Sequence, residues 1–317
     1  MFSIAYRMVG SVGEAEDLVQ EAFVRLERAR DGGVVVESPK AYLATTTTRL
    51  AIDHLRSARV RRETYVGTWL PEPLVTGSRS VGESRLVSES RLAPDSRLVT
   101  DSRQDPERFA EMSDSLSMAF LVLLESLSPV ERAVFLLREV FDYGYDEIAE
   151  IVDRSEPNCR QILARARKRI DEGRPRFEAS RAESEEMARR FLAATESGSL
   201  EDLVDLLAAD VALYGDGGGV ANATRQPVFG RERVGAFLAG LLRQGRRLSI
   251  SVEPAVVNGQ GGLITRDSEG RVISVLAFEA AEGRIQAIRA VVNPEKLAHL
   301  GPVSDVARRT PPPDPSP

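Results

Sequence analysis

Between Tyr145 and Ile170 the chain reads YDEIAEIVDRSEPNCRQILARARKRI, two helical periods separated by a short polar break. With Ser155 as N-cap of the second helix, Cys159, Ile162, Leu163, Ala166 and Ile170 fall on one face. Asn158, Gln161, Arg165 and Lys168 fall on the opposite face, with Arg160 and Arg167 on a flank. The apolar face finds a partner in Ile148, Ala149 and Val152 of the preceding helix. This pattern fits a helix-turn-helix. Its second helix offers amides and guanidinium groups to base edges in a major groove, and its flanking arginines suit phosphates. The bland alternative is a basic, solvated helix without a ligand, but cap, turn and polar face agree on the first reading. Cys159 reads as a small core residue.

A basic helix is unexpected in a chain of formal net charge −6, with 42 Lys and Arg against 48 Asp and Glu. That balance argues against a protein coated in nucleic acid, but local basic patches suffice for binding. The 317 residues suggest two or three domains, and 42% hydrophobic residues allow each a core. One cysteine permits no intrachain disulfide and fits a reducing cytoplasm. Two histidines, His54 and His299, with that cysteine do not make a zinc site, so no metal or cofactor is expected. No run approaches a membrane span, and the N-terminus is too interrupted for a signal peptide.

Composition and periodicity divide the chain into five parts. Residues 1–65 read as helical. SVGE (Ser11–Glu14) fits a capping box, and Leu18, Val19, Ala22, Phe23 and Leu26 form an apolar face behind it. Asp17, Gln20, Glu21 and Arg25 line the other side, a stripe suited to a protein partner or simply to water. Ser38-Pro39 opens another helix, with Ala44, Ala51, Ile52 and Leu55 buried and the basic end Arg56, Arg59, Arg61 and Arg62 suited to a nucleic-acid backbone. Residues 66–106 form a linker. WLPEPL is extended between its prolines, and a Ser-Arg pair then recurs every sixth residue from Ser78 to Arg103, a disordered tether or an interaction element. Residues 107–175 hold the helix-turn-helix, led by a second capping box at Ser128–Glu131. Residues 182–300 run from helices into antiparallel strands, an α+β domain. Residues 301–317 form a Pro-rich tail, expected to be disordered.

Two DNA-contacting modules joined by a tether suggest a protein that bridges two DNA elements. FSIAYRMVGSVGEAEDLVQEAFVRL with SPKAYLATTTTRLAIDHLRSARVRRE resembles region 2 of the extracytoplasmic-function sigma factors of bacterial RNA polymerase. LSPVERAVFLLREVFDYGYDEIAEIV with the basic helix resembles their region 4. WLPEPL, YGDGGG and NPEKL narrow the resemblance to the sigma-J-like subgroup with a C-terminal SnoaL-like, cone-shaped domain.

The resemblance implies roles. Asp17, Gln20, Glu21 and Arg25 would dock on the polymerase β′ clamp, and the region-4 module would meet the β flap. The loop from Arg30 to Pro39 would capture a flipped −10 base. Arg49, Asp53, Arg56, Arg59 and Arg62, with Arg61 beside them, would meet −10 DNA. Arg160, Gln161, Arg165 and Lys168 would read the −35 element, with Asn158 and Arg167 beside them. The C-terminal extension would regulate from within, in place of an anti-sigma protein. Three features depart from the pattern. The stretch usually found before FSIAYRM is missing, the hexads lengthen the linker, and Val220 replaces the lysine that usually ends the glycine motif.

SnoaL-like folds also host isomerases. Here Tyr214 and Asp216 are the obvious polar pair near the glycine run, and no Lys-Ser/Thr comes after it to make a phosphate cradle. No catalytic residue is expected. The rival readings are a one-component helix-turn-helix regulator that senses a small molecule, and an isomerase-like enzyme with a DNA-binding appendage. A latch is also expected. Trp69, Pro71, Glu72 and Pro73 would dock on Tyr214, Asp216, Gly217, Gly218 and Gly219 and on Asn293, Pro294 and Lys296, with flat glycine backbone receiving Trp69.

Overall fold

The computed structural model describes residues 1–63, 65–76, 116–173 and 180–308, with side chains throughout except at 58–63 and 76. The hexad repeat and the Pro-rich end lie outside these residues. The described chain forms two compact units, one of residues 1–63 with 116–173 and one of residues 65–76 with 180–308.

The first unit is all-α. Helices α1 (Phe2–Val9), α2 (Val12–Asp31) and α3 (Pro39–Glu63) pack on one another. Ser11 caps α2, its Oγ accepting from Glu14 N–H at 3.2 Å, and His54 of α3 lies 3.0 Å from the Glu14 carboxylate. Leu18, Ala22 and Leu26 are buried as expected, but Phe23 is 40% exposed beside Val24 at 42%. The helix turns Phe23 off the buried stripe because Ala22 and Leu26 already fill the seam against α3. The Thr45–Thr48 run stays helical with Thr47 and Thr48 fully buried, so packing overrides weak propensity.

Helices α4 (Met118–Leu124), α5 (Pro129–Phe135), α6 (Tyr145–Val152) and α7 (Glu156–Gly173) complete the unit. Ser128 and Glu131 form the reciprocal capping box at the start of α5. The helical spacing predicts a regular helix through Phe141. Instead Leu136–Val140 is a π turn, with Phe141 N–H reaching the Leu136 carbonyl at 3.1 Å. Three guanidinium groups tie the two helical sets together. Buried Arg132 donates to the Met8 carbonyl at 2.6 Å and lies 2.8 Å from Glu125. Buried Arg7 sits 5.6 Å from the Phe141 ring centroid, with its pKa lowered to about 10 by burial. Arg49 of α3 donates to the carbonyls of Ile151 at 2.9 Å and Glu150 at 2.8 Å, satisfying orphan acceptors at the end of α6.

The second unit is α+β. Its strands are β1 (Val75–Thr76), β2 (Leu207–Asp216), β3 (Val228–Phe229), β4 (Ser251–Val257), β5 (Gln260–Arg266), β6 (Val272–Ala281) and β7 (Arg284–Val291). They form one sheet in the order β1-β4-β5-β6-β7-β2-β3. Most pairs are antiparallel as expected, but β2 runs parallel to β7, because α10 (Arg231–Arg247) and four further strands intervene between them. Helices α8 (Arg181–Ser197), α9 (Leu200–Asp205) and α10 cover the sheet. Phe191, Leu203, Leu213, Leu238, Phe278 and Ile288 fill the space between, with Phe191 and Phe278 centroids 5.1 Å apart. After β7 come α11 (Pro294–Leu297) and a 3-10 turn (Ala298–Leu300).

Two expected boundaries move. Tyr65, expected at the end of the first helical domain, and residues 66–76, expected within the linker, belong to this unit, and β1 pairs with β4. Residues 301–308, expected within the disordered tail, are held by backbone bonds. Val272 N–H donates to the Pro302 carbonyl at 2.8 Å, Ser304 N–H to Val272 at 2.8 Å, and Asn222 N–H to Ala307 at 2.7 Å. The prolines that suggested disorder begin only at Pro311.

Candidate functional site

On α2, Asp17, Gln20 and Arg25 are exposed and Glu21 half-buried, with Arg25 Nε 2.8 Å from Glu21 Oε1. Exposed Phe23 and Val24 stand beside them, so the stripe is amphipathic rather than merely solvated. The turn after α2 carries Val34 and Val35, 57% and 87% exposed, apolar side chains held out into water.

On α3, exposed Asp53 and Arg56 pair at 3.0 Å. Arg49, expected to face DNA, is engaged with α6. Arg59, Arg61 and Arg62 stand in the last two turns, and their side chains lie outside the described residues. Within this unit a cleft of about 590 Å³ is lined by Arg49, Asp53 and Arg56 on one side and by Val152, Asp153 and Arg154 on the other.

Helix α7 realises the expected faces. Cys159, Ile162, Leu163, Ala166 and Ile170 are buried, while Arg160, Gln161, Arg165, Arg167 and Lys168 are exposed and Asn158 is half-buried. Burial raises the Cys159 thiol pKa, as befits a core residue. The exposed cations have carboxylate neighbours. Arg160 lies 3.0 Å from Glu156 and 4.5 Å from the Tyr145 ring centroid. Arg167 lies 2.8 Å from Glu139, and Lys168 lies 3.9 Å from Glu172. Glu131 takes Arg169 at 2.7 Å and Arg165 at 4.0 Å. Burial pushes the Glu131 carboxyl up, but the Ser128 donors and the two arginines outweigh it and leave its pKa below the ordinary value.

In the second unit three sequence motifs meet at fully buried Asp216. Its Oδ2 accepts from Leu70 N–H at 2.8 Å and from Lys296 Nζ at 2.7 Å. Its Oδ1 accepts from the Tyr65 hydroxyl at 2.5 Å and Gly218 N–H at 3.1 Å. Lys296 also donates to the Leu70 carbonyl and lies 4.5 Å from the Trp69 ring centroid and 4.8 Å from that of Tyr65. Asn293 caps α11, accepting from Glu295 N–H at 3.1 Å ahead of Pro294 at the first helical position, while its Nδ2 donates to Tyr65 at 3.1 Å. His299 lies 2.9 Å from the Pro73 carbonyl and 4.0 Å from Glu72. Burial and the Asp216 charge hold the Tyr65 phenol far above its ordinary pKa, so it remains a donor.

The glycine run has a local reason. Gly218 and Gly219 adopt φ of 59° and 78°, and a Cβ on Gly218 would stand 2.3 Å from the Asn293 amide. Val66, not Trp69, approaches Gly219. Trp69 is half-buried, and the fully enclosed anchor is Leu70, with Pro71 and Pro73 also buried. Tyr214 does not join Asp216. Instead it stacks on Arg289, 4.6 Å from guanidinium to ring centroid, and Arg289 pairs with Glu279 at 2.5 Å.

Sequence reading missed Tyr65, Asn258 and His299. Asn258 receives the linker twice, its Oδ1 accepting from Leu74 N–H at 3.0 Å and its N–H donating to Leu74 at 2.8 Å. The Asn-Gly pair at 258–259 was the available signal. Among the described residues no cluster of metal-ligating side chains is present, and no helix is long and apolar enough to cross a membrane.

Residues 1–61 match the family model described as Sigma-70 region 2, and residues 117–170 match Sigma-70, region 4. Over 94% of its length the chain is 34% identical to the ECF RNA polymerase sigma factor SigJ of Mycobacterium tuberculosis, covering 89% of that protein. It is 31% identical to a probable ECF RNA polymerase sigma factor SigI of the same species, over 95% of this chain and 92% of the other. The crystal structure of Mycobacterium tuberculosis SigJ superposes with a TM-score of 0.68 at 31% identity, covering 94% of this chain and 95% of that one.

Proposed function

The chain belongs to the extracytoplasmic-function sigma factors, alternative sigma factors that direct transcription initiation by RNA polymerase, and from that premise we propose how its surfaces divide the work and how its last domain governs them. Asp17, Gln20, Glu21 and Arg25 bind the β′ clamp, with exposed Phe23 and Val24 supplying apolar contact. The region-4 module meets the β flap. Asp53, Arg56 and the basic end of α3 meet the −10 element. On α7, Asn158, Gln161, Arg165 and Lys168 read the −35 bases, while Arg160 and Arg167 hold phosphates. This work is cytoplasmic.

The last domain acts as a built-in regulator rather than as an enzyme. The observation that carries this is the closed set of bonds around Asp216, which ties WLPEPL to the domain through Leu70 N–H, Tyr65 and Lys296. Apolar side chains fill the space between helices and sheet where catalysis would need a polar pocket. Tyr65 comes almost directly after α3, so docking of 65–76 shortens the free tether between the two DNA modules. A docked and an undocked population then differ in how readily both promoter elements are engaged.

The test is transcription in vitro from the gene's upstream region with purified core enzyme. Activity that requires core polymerase separates a sigma factor from a one-component regulator. Trp69 is the chain's single tryptophan. Removing residues 180–317 exposes it and shifts its emission to the red, and an unshifted spectrum removes the docking reading.

A further inference from the structure

The exposed face of α7 is not free in this structure. Arg167 is held by Glu139, whose Oε1 accepts from the guanidinium at 2.8 Å, and the hydrogen bond and charge of Glu139 raise the arginine's pKa. Glu139 lies within the π turn. In a regular helix position 139 would stand one turn beyond Phe135 and two beyond Arg132, and both of those side chains are buried. The π turn adds a residue to that turn and rotates the chain beyond it. Glu139 is exposed at this turn and aimed at a cation of the next helix but one.

A carboxylate at this position presents oxygen acceptors to a guanidinium as a nucleic-acid phosphate does. Both side chains of the pair remain open to water, 54% and 30% exposed, so the pair is weak and exchangeable. Resting on the reading of α7 as the −35 helix, we propose that Glu139 occupies the phosphate position on Arg167 in the free protein and lowers the affinity of the −35 module for any DNA. Promoter phosphate displaces it. Glu139 is a positioning residue: it touches no base and leaves the choice of sequence to its neighbours.

The test uses the full-length chain assembled with core polymerase, and fragments carrying either the native or a scrambled −35 element. Affinity is measured across a salt series. Glu139→Gln tightens binding to both fragments by about threefold to tenfold at low salt. The slope of log K against log salt changes by much less than the roughly 0.9 of a whole phosphate contact, because the Arg167–phosphate contact forms in both chains. Glu139→Ser, which removes the charge without supplying an amide, gives the same shift. In an Arg167→Ala background neither substitution has an effect. If Arg167→Ala alone leaves binding unchanged on both fragments, Arg167 meets no phosphate, and the reading of α7 falls together with the inference. If Arg167→Ala weakens binding but Glu139→Gln leaves it unchanged or weakens it, only the inference falls, and Glu139 orients Arg167 instead of masking it. A gain that persists without Arg167 also overturns the inference.

Discussion

The Asp216 clasp and the outer face of α7 are both built from opposite charges, and they differ in access to water. Asp216 is fully enclosed, Lys296 is 8% exposed, and each has several partners. The cations of α7 stand in solvent, with carboxylates drawn from their own helix or from the π turn after α5. Removing one partner of a buried pair strands the other and costs about 3–5 kcal/mol, whereas an exposed pair is worth about 0–1 kcal/mol. The first arrangement therefore fixes a segment in place. The second can trade its carboxylates for phosphates with little change in stability. One region is built to hold, the other to exchange.

Asp216→Ala tests the holding side most severely. It removes the carboxylate from buried Lys296 and should lower the stability of the second unit by about 3–5 kcal/mol in chemical denaturation. Segment 65–76 should also become open to limited proteolysis. A loss below about 1 kcal/mol would place the clasp in the same class as the exposed pairs. On the exchanging side, Arg165→Ala should cost roughly 1–3 kcal/mol of promoter binding at one −35 position. Arg167→Ala should weaken all sequences alike and flatten the salt dependence. Identical losses for both variants on every promoter would erase the division between base and phosphate contacts. Tyr65→Phe removes one donor from Asp216 while keeping the ring, and should cost about 1 kcal/mol by thermal unfolding.

Glu131 lies between the two regimes, since it caps α5 and also receives Arg165 and Arg169. Its pKa is lowered in the folded protein from an ordinary 4.5. Its contribution is therefore complete above that ordinary value and is lost as pH falls through the lowered one. Glu131→Gln should remove part of the acid sensitivity of the first unit in a stability-against-pH series. Arg189→Ala, which breaks an exposed pair with Glu186 in α8, should change stability by no more than about 0.5 kcal/mol. A larger change would show that water access is a poor guide to the strength of these pairs.

The exchanging region was largely legible in sequence. Its faces depend on residues three and four apart and on the helix just before, so the periodicity of Cys159 to Ile170 fixes what is buried. Phe23 shows the limit of that logic: a stripe of five apolar residues does not reveal that Leu18, Ala22 and Leu26 take the buried positions and Phe23 does not. The π turn was not legible, because LLREV is made of ordinary helix-compatible residues and carries no local signal for an extra residue. In the holding region the motifs were legible as pieces. WLPEPL, YGDGGG and NPEKL each break a local rule, and the chain brings them together. The choice of partners was not legible, because Leu70 and Asp216 are 146 residues apart and no local pattern encodes such a contact. For the same reason Tyr65 went unseen and Leu70, not Trp69, is the enclosed anchor.

Strand β1 has a consequence for how the molecule behaves in a crowd. Its two residues cover Val256 and Val257 of β4, and beside them Asn258 takes both backbone groups of Leu74. Further along β4, Pro254 has no N–H to offer. The docked linker and the proline together blunt one side of the sheet. If segment 65–76 lifts away, the valine end of β4 becomes an open strand margin of the kind that recruits another chain. Release of the linker and self-association are then linked through one row of backbone groups. The undocked protein should show concentration-dependent assembly by sedimentation, and the docked protein should not.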